Sequence, residues 1–285
     1  MQIGSQYQKY RFEYVIWRSL SLSPTIEATL ADLLGCLSDQ QQTKADLDRL
    51  IDYLRSHRCL LILDGVEAIL VTGQLAGKYR DGYQNYSIFF REIGQLQHQS
   101  CLLLTSSEKI RDISMMECKT SPIRAFKLLG LSKEDAREIL REKGLLQEEK
   151  WKTIIERYTG HPLALKIVAS TIIELFDGKP SQFINQNTTF LGPIHDLLEQ
   201  QFERLSDVEI KIICPLARAD KPLSIQQLKA SISSAISTSE IIASLESLAW
   251  RCLIEKIPDT DEPVFTLQSM IRKYVINEFC QNQGG

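Results

Sequence analysis

Two short segments constrain the fold more than any other feature. Cys59 to Asp64 reads CLLILD, and Cys101 to Thr105 reads CLLLT. Each is apolar at every position except its last. A strand with one wet face alternates apolar and polar residues. A short unbroken apolar run that stops at a polar residue is instead the pattern of a strand in a parallel sheet, buried on both faces. EYVIW (Glu13 to Trp17) reads as an earlier strand, and AFKLL (Ala125 to Leu129) as a later one. Helical patterns separate them. Pro24 opens a stretch with Ile26, Leu30, Leu33, Leu34 and Leu37 on one face, and Leu47, Leu50, Ile51 and Leu54 mark a second helix. A loop containing Gly73, Gly77 and Gly82 leads to a third, from Tyr83 to Leu96. Strands alternating with helices imply βαβ units with right-handed crossovers.

After Leu131 the strand signal stops. Ser132 and Asp135 have the spacing of a helix N-cap, and Trp151, Ile154, Ile155 and Tyr158 recur at helical spacing. Gly160 ends that helix and Pro162 starts the next, in keeping with Gly past a helix end and Pro at its first turn. Leu163 to Phe176 is apolar over most of its circumference, which predicts a buried helix. The Gly/Asn/Thr/Pro-rich segment from Asp177 to Pro193 reads as a linker. Three capping boxes follow: Ser206 with Glu209, Ser224 with Gln227, and Ser237 with Glu240. Leu253 to Lys256 and Val264 to Leu267 then flank a PDTDEP turn, and a last helix runs from Met270 to Phe279. Three short helices followed by a hairpin is the layout of a winged-helix domain. The expected fold class is α/β plus α, with domains at 1–130, 131–195 and 196–285.

Composition narrows the functional classes. The chain has 285 residues, 44% hydrophobic and 24% charged, with a net charge of −3. This is the make-up of a globular protein and not of a disordered or collagen-like one. The seven cysteines are scattered without a CxxC, so they read as reduced core residues, and the four isolated histidines form no metal-binding motif. No run approaches the ~20 apolar residues of a membrane span, and the N-terminus lacks a signal-type apolar core, so a cytoplasmic location is expected. Residues 196–285 hold nine Lys/Arg against thirteen Asp/Glu, which disfavours nucleic acid as a partner.

Asp64 stands where ligands bind in open α/β sheets, outside the carboxyl end of a strand. A carboxylate there suits Mg2+ beside nucleotide phosphates, or serves simply to start a turn. The neighbouring segments add to this. FEYVIWRSL, LIDYLRSHRCLLILDGVEAIL, HQSCLLLTSSEK, GHPLALKIVA and FTLQSMIRKYV occur in that order between Arg11 and Phe279. In these segments the chain resembles the NB-ARC family of STAND-type signalling ATPases, and especially bacterial versions that often precede WD-repeat propellers. The resemblance implies an ADP/ATP-gated switch made of a nucleotide-binding α/β domain, a helical subdomain and a winged helix. It implies Asp64 as the Walker B magnesium residue, with Thr105 and Ser106 at the sensor end of the next strand. It implies nucleotide-binding roles for Gly160, Pro162 and Leu163, with Pro162 packing on the adenine, and that Leu267, Gln268 and Ser269 occupy the winged-helix position that senses ADP.

Departures from the family pattern limit that expectation. A P-loop needs GxxxxGK[ST], whose backbone N–H groups cradle phosphates and whose Lys and hydroxyl engage phosphate and Mg2+. No such string occurs. Gly73, Gly77, Lys78 and Tyr79 come nearest but are one residue short, end in Tyr, and follow the Asp64 strand. The family carries its P-loop unit just before FEYVIW, so the expected α/β domain is truncated and lacks its first βα unit. Gly65, Ser107 and Gln268 stand where the family often has a second acid, an arginine and a histidine. Hydrolysis by this chain alone is therefore not expected, while Pro162, Asp64 and Gln268 could form half a pocket for residual ADP binding. A non-catalytic interaction module working with a P-loop-bearing partner is the alternative, with a winged-helix DNA binder ranked last.

Overall fold

A computed structural model describes residues 12–280 apart from 42–43, 187–190, 233–234 and 259. The chain divides into two compact units, residues 1–71 with 76–125, and residues 72–75 with 126–285.

The first unit is a parallel sheet of β1 (Tyr14–Ser19), β2 (Cys59–Asp64) and β3 (Cys101–Leu104), in the order β1-β2-β3. Register runs from Tyr14 opposite Cys59 to Ser19 opposite Asp64, and from Leu60 opposite Cys101 to Leu63 opposite Leu104. The connections carry α1 (Ile26–Leu37), α2 (Leu47–Ser56) and α3 (Asn85–Gln95), and α4 (Arg111–Met116) follows the sheet. Thr25 caps α1 by accepting the Ala28 N–H, and Asp46 caps α2 by accepting that of Arg49. Ile16, Leu61 and Leu63 form a core with Leu30, Leu33 and Leu34 of α1, Leu50 and Leu54 of α2, and Phe89 and Phe90 of α3.

Two expectations change here. The unbroken apolar runs predicted strands buried on both faces. Along β2, however, buried residues alternate with half-buried ones, and along β3 exposed residues alternate with half-buried ones. Both crossovers step the same way across the sheet, and right-handed crossovers in one direction stack their helices on one face. Val15, Trp17, Cys101 and Leu103 lie on the other face and are exposed. The second correction concerns Ala125 to Leu129, which is not a strand. Phe126, Leu128 and Leu129 are exposed (82%, 91% and 71%). An apolar run becomes a strand only where an edge pairs with its N–H and C=O groups.

The second unit contains α5 (Lys133–Glu142), α6 (Glu148–Arg157), α7 (Pro162–Phe176), α8 (Pro180–Asn185), α9 (Gly192–Phe202) and α10 (Asp207–Arg218). Then come β4 (Leu223–Ser224), α11 (Ile225–Ser231), α12 (Thr238–Trp250), β5 (Glu255–Ile257), β6 (Val264–Thr266) and α13 (Ser269–Val275), which runs on into a π-helical turn (Ile276–Cys280). The three short strands pair antiparallel in the order β4-β6-β5. All three capping boxes form as read, on α10, α11 and α12. Helix α8 occupies part of the expected linker, whose residues 187–190 lie outside the described ones. Helix α7 buries only one face, through Ala164, Leu165, Val168, Ala169 and Ile172, while Leu163 and Leu175 are exposed. A single apolar core runs from Ala136 to Val275. No helix among the described residues is long and apolar enough to cross a membrane.

One buried charge organises this core. Glu209 is fully enclosed; its Oε1 lies 3.4 Å from Arg251 Nε and accepts the Ser247 hydroxyl at 2.7 Å. Its Oε2 accepts the Ser206 N–H and hydroxyl, both at 2.8 Å, completing the cap of α10. Arg251 Nη2 donates to the Gln74 carbonyl at 2.7 Å. Removing one member of such a pair strands the other charge. Glu209→Ala should therefore cost about 3–5 kcal/mol, measured by urea unfolding, against about 1 kcal/mol for the exposed cap loss in Ser237→Ala.

Candidate functional site

The carboxyl end of the central strand gathers oxygen donors. β2 ends at Asp64, and Gly65 turns the chain with φ +78°, a conformation that favours glycine. The chain leaves β3 at Thr105, whose N–H donates to the Leu63 carbonyl (3.0 Å) and whose carbonyl accepts the Val66 N–H (3.0 Å). This pairing places the two strand ends side by side. Thr105 Oγ1 donates to Asp64 Oδ1 and accepts the Gly65 N–H at 3.1 Å. On the far side, the Leu20 N–H donates to the Asp64 carbonyl (2.7 Å) and anchors the chain leaving β1.

A second carboxylate stands nearby. Glu67, in a 3-10 turn at Val66–Ile69, accepts the Ser107 N–H through Oε2 at 3.1 Å. Ser106 Oγ accepts the Glu108 N–H at 3.3 Å, and Glu108 is buried and accepts the Gly77 N–H at 3.4 Å. Its place at a strand end singled out Asp64, and the family resemblance singled out Thr105 and Ser106. Glu67 lies two residues beyond Gly65, the position where the family often has a second acid. Its bond to the Ser107 N–H ties the two strand-end loops together, a pairing that only the strand order brings about.

The donor set can be tested against the groups the resemblance implies. Magnesium prefers hard oxygen ligands and keeps several waters. The partly exposed Asp64 carboxylate with the exposed Thr105 hydroxyl beside it fits that chemistry. The phosphate end does not fit equally well. The Gly65, Val66 and Ser107 N–H groups that face this region are taken by Thr105 and Glu67. The glycine loop supplies no cradle either: Leu70 and Tyr79 form a bridge across it, and the Tyr79 hydroxyl donates to Asp112 at 2.8 Å.

The remaining residues singled out by sequence lie in the second unit. Gly160 has φ +67°, and a Cβ on it would meet the Leu131 oxygen at 2.8 Å. Its carbonyl accepts the Leu131 N–H at 2.9 Å. Gly130 packs more closely still, since a Cβ there would lie 1.9 Å from the Thr159 oxygen. These contacts explain both glycines by backbone approach alone. Pro162 opens α7 as its first residue, behind His161, whose Nδ1 accepts the Ala164 N–H at 3.2 Å. Pro162 and Leu163 are exposed. Gln268 Nε2 donates to Glu255 Oε1 at 2.8 Å, so its amide serves the joint between hairpin and last helix, next to buried Leu267.

No protein-family model matches the chain. It is 41% identical over 280 residues to an uncharacterized WD repeat-containing protein of Nostoc sp., a match that covers 94% of this chain and 22% of that protein. The chain thus spans about a fifth of its curated relative's length. A STAND (Signal Transduction ATPase with Numerous Domains) protein with a tetratricopeptide repeat sensor from Pyrococcus horikoshii aligns with 99% of this chain and 43% of its own, at 14% identity and a TM-score of 0.39. The ORC2 protein of Aeropyrum pernix, solved as ADPNP–ADP complexes, aligns with 94% and 79%, at 15% identity and a TM-score of 0.41. Similarity at this level does not establish a shared fold.

Two outcomes follow from the geometry. Thr105→Val removes the hydroxyl between Asp64 and Gly65, and should lower stability by about 1 kcal/mol in urea unfolding. His161 caps α7 through a neutral nitrogen, and burial holds its pKa below the ordinary histidine value. A pKa lowered by folding gives stability that is present above about pH 6.5 and lost as pH falls through the folded value. His161→Asn keeps a side-chain cap and should flatten that part of the stability–pH curve.

Proposed function

We propose that the chain is a nucleotide-binding signalling module of the NB-ARC type, carrying the magnesium end of the nucleotide site without the phosphate-cradling end. The observation that carries this reading is Asp64, held by the Thr105 hydroxyl at the carboxyl edge of the central parallel strand. The order of the five motifs from FEYVIW to FTLQSMIRKYV supports it. Bound Mg2+ would neutralise phosphate charge; Asp64 would hold it through water, with Thr105 fixing the carboxylate.

In this reading the second unit comprises a helical subdomain at 131–195 and a winged helix at 196–285. The fully formed capping boxes and the β4-β6-β5 sheet support the latter. The relative's WD repeats favour a role in protein assembly. Phosphoryl transfer depends on positioned charge, and the missing lysine and arginine leave this chain without most of it. The module binds and reports nucleotide and does not turn it over.

Isothermal titration of the purified chain with Mg-ADP and Mg-ATP tests the reading. Weak binding is expected, diminished in Asp64→Asn, with no phosphate released over hours. An absence of heat at millimolar nucleotide would show that the chain alone is no switch.

A further inference from the structure

Helix α9 brings three metal-ligating side chains together. In a helix, residues i and i+4 lie one above the other, and residues i and i+3 are neighbours. His195 and Glu199 stand in the first relation and Asp196 and Glu199 in the second. One ligand atom from each of these three residues lies within 4.8 Å of the other two. Asp196 and Glu199 are exposed and His195 is half-buried, so the group is open to a cation from solvent.

A fourth group arrives from the end of the second unit. Helix α13 runs on into the π-helical turn Ile276–Cys280, and there Glu278 Oε1 lies 3.4 Å from His195 Nε2. The His195 ring meets the Tyr274 ring edge-on, with centroids 5.4 Å apart, and Tyr274 packs in turn on Phe202 at 4.9 Å. These contacts limit how the imidazole turns. Its two nitrogens point in divergent directions. A neutral ring with its Nε2–H toward Glu278 keeps the Nδ1 lone pair for another partner. A carboxylate on one ring nitrogen and an ion on the other is the usual arrangement of a metal-bound histidine.

Negative charge gathers at the same place. Burial first, and then the Glu278, Glu199 and Glu203 carboxylates, push the Tyr274 hydroxyl up to about 12. Asp196 and Glu199 are like charges at i and i+3 and repel each other, which a bound cation relieves. The donor types select the ion. Mg2+ and Ca2+ take oxygen ligands, whereas imidazole beside carboxylates suits Zn2+ and its first-row neighbours.

We propose that His195, Asp196 and Glu199 bind a divalent transition-metal ion of the Zn2+ class, with Glu278 holding the imidazole from the π-helical turn. Water completes the coordination that three protein ligands leave open. The ion fastens the last turn to α9, because Glu278 supports a ligand that α9 supplies. The site is separate from Asp64, and neither reading depends on the other.

The test uses the whole chain, without an affinity tag, stripped of metal and kept reduced by a phosphine. Zn2+ is titrated by calorimetry, and Co2+ binding is followed by visible absorption. The parent should bind a single equivalent of Zn2+ in the micromolar range and gain thermal stability from it. Bound Co2+ should show a d–d spectrum without thiolate charge transfer. His195→Ala and Glu199→Gln should each weaken binding at least about tenfold, and so should Glu278→Gln through the support it removes. His57→Ala should bind as the parent does. Zn2+ binding only at millimolar concentration overturns the proposal. Parental affinity in His195→Ala or Glu199→Gln does so too, and parental affinity in Glu278→Gln removes that residue from its role. A strong near-ultraviolet thiolate band would assign the ion to cysteines and also overturn it. If His195→Ala fails to fold, Asp196→Asn on the exposed surface carries the same comparison.

Discussion

The parallel pairing of β2 between β1 and β3 is the constraint on which the first unit depends. Strands held in one direction must be joined by crossovers, and crossovers of one hand that step one way place their helices on one side. Everything notable about this unit follows. Its core is one-sided, its second face exposes Val15, Trp17 and Leu103, and its carboxyl edge collects Asp64, Thr105 and the loops that follow them. The same pairing that exposes Trp17 and Leu103 also positions Asp64 at the carboxyl edge of that face.

The second unit depends on a different interaction. Glu209 is simultaneously a cap for α10, an acceptor for Ser247 and the counter-charge of Arg251, with almost no solvent around any of them. A buried pair of this kind contributes less net stability than an apolar replacement often does, but it heavily penalises any arrangement in which one partner is missing. It therefore fixes how α10 and α12 meet. The close backbone approach of Gly130 to Thr159 plays the equivalent part at the start of the unit.

Sequence reading located the three strands of the parallel sheet, most helices and all three capping boxes, because each rests on local chemistry. Apolar runs, cap residues and turn residues act within a few positions of one another. It misjudged Ala125 to Leu129 and the burial of the strands, because both depend on neighbours that composition does not reveal. An exposed Leu128 has the same sequence as a buried one. For the site, Asp64 and Thr105 were legible as residues at strand ends. Their shared hydrogen bond and the Glu67–Ser107 contact were not, since strand order sets them. Gly160 carried a signal of two meanings, and its backbone contacts supply a structural one.

The sequence by itself determined the three strands of the parallel sheet, where most helices begin, and that a carboxylate ends the central strand. These are matters of backbone preference and of side chains satisfying nearby N–H groups. Only the tertiary structure decided that Val15, Trp17 and Leu103 are exposed, that Gln268 is engaged by Glu255, and that Thr105 reaches Asp64. Those outcomes depend on the direction of crossovers and on pairing between residues 13 to 45 positions apart, which no local pattern encodes.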